Sequence, residues 1–162
     1  MDRLLGYALG ALIAGIAGLG IYALYGWLSG STQTANLVSQ DYTIYACVKA
    51  NTQNSSTQYG TVAFTTAQLQ QIGCLVSGTN TYGGAITATG ATASLYVDQD
   101  AVPQSVCTQT LTQTAANTGA ISFGVAAAGT TPATFATAVP VPLATAVTLC
   151  TNTSNKIRTV YQ

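Results

Sequence analysis

The sequence predicts an α+β protein: a long N-terminal helix, half apolar and half amphipathic, packed on a globular head with an antiparallel sheet. Three observations carry that expectation. Leu4 to Leu28 (LLGYALGALIAGIAGLGIYALYGWL) is a run of about 25 residues without a charge. After it, Leu37, Val38, Tyr42, Ile44, Tyr45 and Val48 recur at steps of three and four, the period of a one-sided helix. In the remainder, short helical patterns and runs with a period of two alternate between turn-forming clusters, an order that belongs to α+β folds.

Residues 1–30 form the first expected region. As helix the apolar run extends roughly 37 Å, beyond the roughly 30 Å hydrocarbon core of a bilayer. It is too long for the 7–15-residue core of a secretory signal. Tyr7, Tyr22, Tyr25 and Trp27 lie towards its ends, as interfacial aromatics do. Arg3 is the base beside it and precedes it, so the N-terminus is expected on the cytoplasmic side and everything after Ser29 outside. Gly6, Gly10, Gly15, Gly18, Gly20, Gly26 and Gly30 interrupt the run, and each interior glycine costs a helix roughly 0.5–1 kcal/mol relative to alanine. Gly6/Gly10 and Ala14/Gly18 are small-xxx-small pairs that let helix backbones approach closely in lipid. With Leu5, Leu9, Leu12 and Ile16 they are the candidate subunit-packing residues. Two readings stand: a helix that oligomerises, or a single-span anchor.

Residues 31–50 are the amphipathic continuation, so one helix is expected from about Leu4 to Ala50, loosened near Gly26–Gly30. Asn51 to Gly60 reads as an exposed loop. The head spans 51–162. Thr65 and Gln68 have capping-box spacing, with Leu69 and Ile72 behind them and Gly73 as a stop, so a short helix is expected there. Tyr82-Gly83-Gly84 is a turn, and Ala85–Thr89 and Ala93–Val97 alternate as strands. Asp98 to Pro103 leads into a helix carrying Val106, Cys107 and Leu111, with Pro103 in its first turn and Asp100 as its expected cap. Gly119–Ala126 is a further strand, 132–142 irregular, Leu143–Cys150 a short helix, and Lys156–Tyr161 the strand that closes the sheet. The amphipathic half of the first helix is the expected cover for the sheet's apolar face.

Composition excludes several functions. Charged residues make up 5% of the chain, net charge is zero, and there is no histidine or glutamate. Four scattered bases cannot neutralise a nucleic-acid backbone, so no nucleic-acid site is expected. Without histidine there is no imidazole base or imidazole metal ligand, and no phosphate-binding glycine loop follows a strand. Asp98 and Asp100 are the close acidic pair, but two carboxylates fall short of the six to eight oxygens calcium takes. No enzyme, metal or cofactor is expected. Asn54 and Asn152 head glycosylation sequons.

Cys47, Cys74, Cys107 and Cys150 are too widely spaced for a zinc or redox motif. An even count behind an apolar segment favours disulfides in an oxidising compartment, and four cysteines allow three pairings.

The chain resembles the type IVb pilins. The residues that carry the resemblance are the apolar helix running into its amphipathic half, Tyr82-Gly83-Gly84-Ala85 leading into strands, Val102-Pro-Gln-Ser-Val-Cys107 opening a helix, and Cys150 with the strand after it. It implies a Cys107–Cys150 bridge, which leaves Cys47–Cys74 as the second. It implies no catalysis but polymerisation: subunits wait in the bacterial inner membrane, then leave it as their apolar helices bundle into an extracellular filament. The implied partners are further copies of the chain, a prepilin peptidase and the pilus assembly machinery. Most members of the family carry a glutamate at the fifth mature position; here that position is Leu5 if Met1 is the first mature residue. Asp2 is then the acid expected to take part of the role, pairing with the Met1 amine or the Arg3 of a neighbour. Either a leader has been removed ahead of Met1 or the subunit is exported uncleaved. Three functions remain open: a major pilin, a minor pilin or secretion pseudopilin, and a membrane-anchored monomeric adhesin.

Overall fold

The computed structural model describes residues 32–52, 59–60, 63–114 and 118–162. The apolar run, its expected start at Leu4 and the loosening near Gly26–Gly30 lie outside the described residues. The chain divides into two units, Met1–Thr32 and Gln33–Gln162, and the architecture is that of the second. Among the described residues, no helix is long and apolar enough to cross a membrane.

Helix α1 covers residues 33–52 of this unit. Its buried stripe is Thr34, Leu37, Asp41, Ile44, Tyr45 and Val48, steps of three and four that keep one face inward. Two residues expected on that face are not there. Tyr42 is 48% exposed and Val38 is half-buried, because the stripe runs through Asp41 instead.

Beyond α1 come β1 (Ala63–Phe64), α2 (Thr66–Gln71), β2 (Ile86–Ala91), β3 (Ser94–Pro103), α3 (Gln104–Gln113), β4 (Ala120–Ala127), β5 (Phe135–Ala136), α4 (Leu143–Leu149) and β6 (Ser154–Tyr161). The α+β class and antiparallel sheet are as the sequence predicts. The six strands lie in the order β1-β2-β3-β6-β4-β5. Every pairing is antiparallel. The strand nearest the C-terminus therefore lies inside the sheet, between β3 and β4, rather than along an edge. Alternation sets the two faces: Leu95, Val97 and Gln99 of β3 and Ile157, Thr159 and Tyr161 of β6 are buried on the α1 side. With Ile86, Phe123, Leu69, Val106, Leu111 and the apolar residues of α1 they build one core.

Local chemistry explains the boundaries. The capping box at α2 forms as its spacing predicts: Thr65 Oγ1 accepts from the Gln68 amide and the Gln68 side chain accepts from the Thr65 amide. Gly73, at φ +75°, takes the left-handed turn that ends it. The stretch 98–103, expected to lead into a helix, belongs to β3, which reaches Pro103. Pro103 is the N-cap of α3 and supplies no side-chain cap bond, so Asp100 does not cap that helix. The segment 132–142 is irregular except for β5, which pairs Phe135 with Gly124 on the sheet's edge. Tyr59, expected in an exposed loop, is 2% exposed in the core.

Candidate functional site: the helix–sheet seam and the surface around it

The seam between α1 and the sheet carries the head's least expected residue. Asp41 occupies a position of the apolar stripe and is 4% exposed. Gln99 Nε2 of β3 donates to its Oδ1 at 2.7 Å, and Thr159 Oγ1 of β6 donates to its Oδ2 at 2.8 Å. One carboxyl group thus ties the helix to two neighbouring strands. Burial, with a smaller push from the charge of Asp98, raises its pKa to about 7 against the pull of those two hydrogen bonds. Asp41 takes part in neither of the ion pairs present among the described residues, Lys156–Asp100 and Arg158–Asp98. Gln99 Oε1 is buried and accepts no hydrogen bond.

One turn further along α1, Tyr45 stacks on Tyr161 with ring centroids 4.6 Å apart. Its hydroxyl donates to the Gln162 carbonyl at 3.0 Å and accepts from Lys49 Nζ at 2.6 Å. The C-terminal residues of β6 are thereby clasped to the helix. Burial, with the nearby carboxyl of Asp41 and the hydroxyl of Tyr45, raises the Tyr161 pKa, so that phenol stays neutral.

The opposite face of the sheet gathers most of the head's remaining charge. Arg158 grips Asp98 with two bonds, Nε to Oδ1 at 2.6 Å and Nη2 to Oδ2 at 2.7 Å, and its guanidinium lies 5.2 Å from the Tyr96 ring centre. The bonds to Asp98 raise the Arg158 pKa. Lys156 Nζ sits 3.7 Å from Asp100, whose carboxylate also accepts from the amides of Ala101 and Gly129. The carboxylate pair weighed in the sequence for calcium is therefore divided between two cations. No three-residue cluster that could hold a metal occurs among the described residues.

A tight turn supports this edge. Asn80 Oδ1 accepts from the amides of Tyr82 and Gly84, while its Nδ2 donates to the Asp100 carbonyl at 2.7 Å. A side chain at Gly84 would collide with that carbonyl, so the turn at Tyr82-Gly83-Gly84 needs glycine to lie against the β3 bulge.

The candidate cysteines are paired Cys47–Cys74, α1 to the turn after α2, and Cys107–Cys150, α3 to the end of α4, with Cα separations of 5.4 and 5.9 Å. Exposed apolar side chains stand on the surface around them. Leu143 and Val147, one turn apart on α4, are 65% and 51% exposed, and Ile72 and Val76 flank the first bridge. An apolar cleft of about 360 Å³ lies between Ala35, Val38 and Tyr42 of α1 and Gln113 and Thr118. The candidate packing residues Leu5, Gly6, Leu9, Gly10, Leu12, Ala14, Ile16 and Gly18 lie outside the described residues, as do Met1, Asp2 and Arg3.

No protein-family model matches the chain, and no curated protein matches it. Solved structures do. A type IVb pilin from Salmonella typhi superimposes with TM-score 0.56 at 18% identity, covering 75% of this chain and 95% of that one. TcpA, a type IV pilin from Vibrio cholerae El Tor, superimposes with TM-score 0.61 at 11% identity over 81% of this chain and 99% of its own. The head has a type IVb pilin fold. At these identities the likeness is one of backbone architecture. In this pilin fold the seam holds α1 to the sheet, the two bridges tie α1 to the turn after α2 and α4 to α3, and the remaining outward surface is hydroxyl- and amide-rich with isolated apolar patches.

Proposed function

We propose that the chain is the major structural subunit of a type IV pilus, polymerising through its apolar N-terminal helix into an extracellular helical filament. The observation that carries this reading is a type IVb pilin fold, matched over nearly the whole length of two pilins, on a chain that also carries a 25-residue uncharged run rich in glycine. In lipid such helices associate by close backbone packing, which Gly6, Gly10, Ala14 and Gly18 permit. In water the same surface is driven together at about 25 cal/mol per Å² buried, so a filament core holds against dissociation. The heads would then form the filament surface, braced by their disulfides. The inner membrane before assembly, a prepilin peptidase and an assembly machinery are the partners this reading requires.

Leu5, in place of the family's glutamate, favours one second reading, a minor pilin or secretion pseudopilin. Electron microscopy of a sheared surface fraction decides. Abundant long filaments made of this chain support the major pilin. Trace amounts in short or absent filaments support the second reading. Monomer retained in the membrane overturns both and leaves an anchored binding protein.

A further inference from the structure

We propose that Asp41 is a proton-operated latch that sets how firmly α1 is seated on the sheet. The inference concerns the head alone and holds whether or not the chain polymerises. With its proton, the carboxyl group closes the seam by neutral hydrogen bonds. Without it, α1 rests on the sheet through a buried charge that no cation offsets.

The geometry has three parts. First, Asp41 sits in the apolar stripe of α1 between Leu37 and Ile44, so its carboxyl cannot turn to solvent without unseating the helix. Second, every group that faces it is neutral or negative. From β3 comes the Gln99 amide, and Asp98, whose carboxylate lies on the other side of the sheet and is held there by Arg158. From β6 come the Thr159 hydroxyl and the neutral Tyr161 phenol. On α1 itself the following turn carries Tyr45, whose hydroxyl engages Lys49 and the Gln162 carbonyl rather than Asp41. Third, the seam holds an acceptor that the ionised state cannot use. With Gln99 Nε2 donating to the carboxylate, Gln99 Oε1 is buried without a partner. A half-turn of the amide brings that oxygen towards Asp41 Oδ1, where a carboxylic acid proton is the donor it lacks. The acid form thus has a donor–acceptor arrangement of its own, reached by giving up the 3.5 Å bond that Nε2 also donates to Gln40 Oε1.

The sign follows from the direction of the shift. Burial makes the folded head hold this proton up to about pH 7, whereas the unfolded chain releases it near the ordinary value of 3.8. Folding therefore takes up a proton between those values, and stability falls as pH rises through that window. The contribution is complete below about pH 4 and gone above about pH 7. A salt-bridged carboxylate does the reverse.

The test uses the full chain in detergent micelles with both disulfides intact. The sequence has four aspartates and no glutamate, so carbon-13 labelling of aspartate gives four side-chain carboxyl resonances. Asp41→Asn removes one and assigns it. The expected result is an Asp41 resonance that titrates with a midpoint near 7. The melting temperature of the unsubstituted chain should fall by several degrees from about pH 5 to about pH 8, and that of Asp41→Asn should stay level. Protection of the α1 amides against hydrogen exchange should drop over the same interval in the unsubstituted chain. A midpoint at or below about 5, or the same temperature slope in both proteins, overturns the proposal. If Asp41→Asn does not fold, the midpoint of the high-shifted resonance in the unsubstituted chain decides alone.

Discussion

Single residues set the head's tolerances, and Asp98 shows how. It is 6% exposed, and Arg158 meets both its oxygens. Removing the arginine leaves a buried carboxylate without its cation, which costs more than the pair itself is worth. Arg158→Ala should lower stability by about 2–4 kcal/mol in urea unfolding. Adding Asp98→Ala should restore part of that loss, so the two changes together cost less than their sum. Gly84 is limiting for a different reason: the space a methyl would fill is taken by the Asp100 backbone. Gly84→Ala should cost about 1–3 kcal/mol by the same measurement, because the turn must lift away from the bulge in β3. Asp41 was visible in the sequence as a charge on an amphipathic helix, but its place in the inward stripe was not. The apolar residues alone fit a stripe through Tyr42, and only the sheet beneath shows that the buried line passes through Asp41. Its partners Gln99 and Thr159 lie 58 and 118 residues away, a separation that no local pattern encodes.

Elements were legible where the signal is local. Capping box and glycine stop gave α2, period-two alternation gave β2, the first half of β3 and β6, and the Gly83 turn falls where the sequence places it. The failures are those in which tertiary contact outweighs pattern. Residues 98–103 read as the approach to a helix, yet they continue the ladder with β6 across a bulge as far as Pro103, because β6 runs back alongside β3 as far as Ser154. Two residues are too short a run for β5 to show any period. Thr65 closes α2 from both sides, and Thr65→Ala should destabilise the head by about 1 kcal/mol, read as a shift in the urea midpoint at constant slope. The bridges act over longer spans. With its cysteines 43 positions apart, Cys107–Cys150 constrains the unfolded chain by about 4 kcal/mol in the loop-entropy picture. Replacing both cysteines with serine should lower the melting temperature markedly, with α4 losing hydrogen-exchange protection before the sheet does. The bridge is what secures α4, since Ala146 is the one residue of that helix that is buried.

For the whole molecule, the filament reading makes a claim about the apolar run that the head cannot make. Gly10→Leu keeps that run apolar but fills one of the small positions. It should leave membrane insertion unchanged and sharply reduce filament yield in a sheared fraction; undiminished yield of normal filaments would show that close backbone approach at Gly10 is not needed. The class of fold was readable from the order of patterns, but the order of strands was not, since alternation says that a segment is a strand without naming its neighbours. The place of β6 has a consequence for synthesis. β3 and β4 touch the same strand and not each other, so before β6 arrives the sheet is two fragments, β1-β2-β3 and β4-β5. A chain emerging from the ribosome N-terminus first delivers both fragments ahead of the piece that joins them, each with an unpaired edge open to other chains. Nascent heads must therefore be chaperoned or kept apart until the final strand has emerged, and premature stop products ending before Ser154 should be cleared by proteolysis rather than accumulate as shortened subunits.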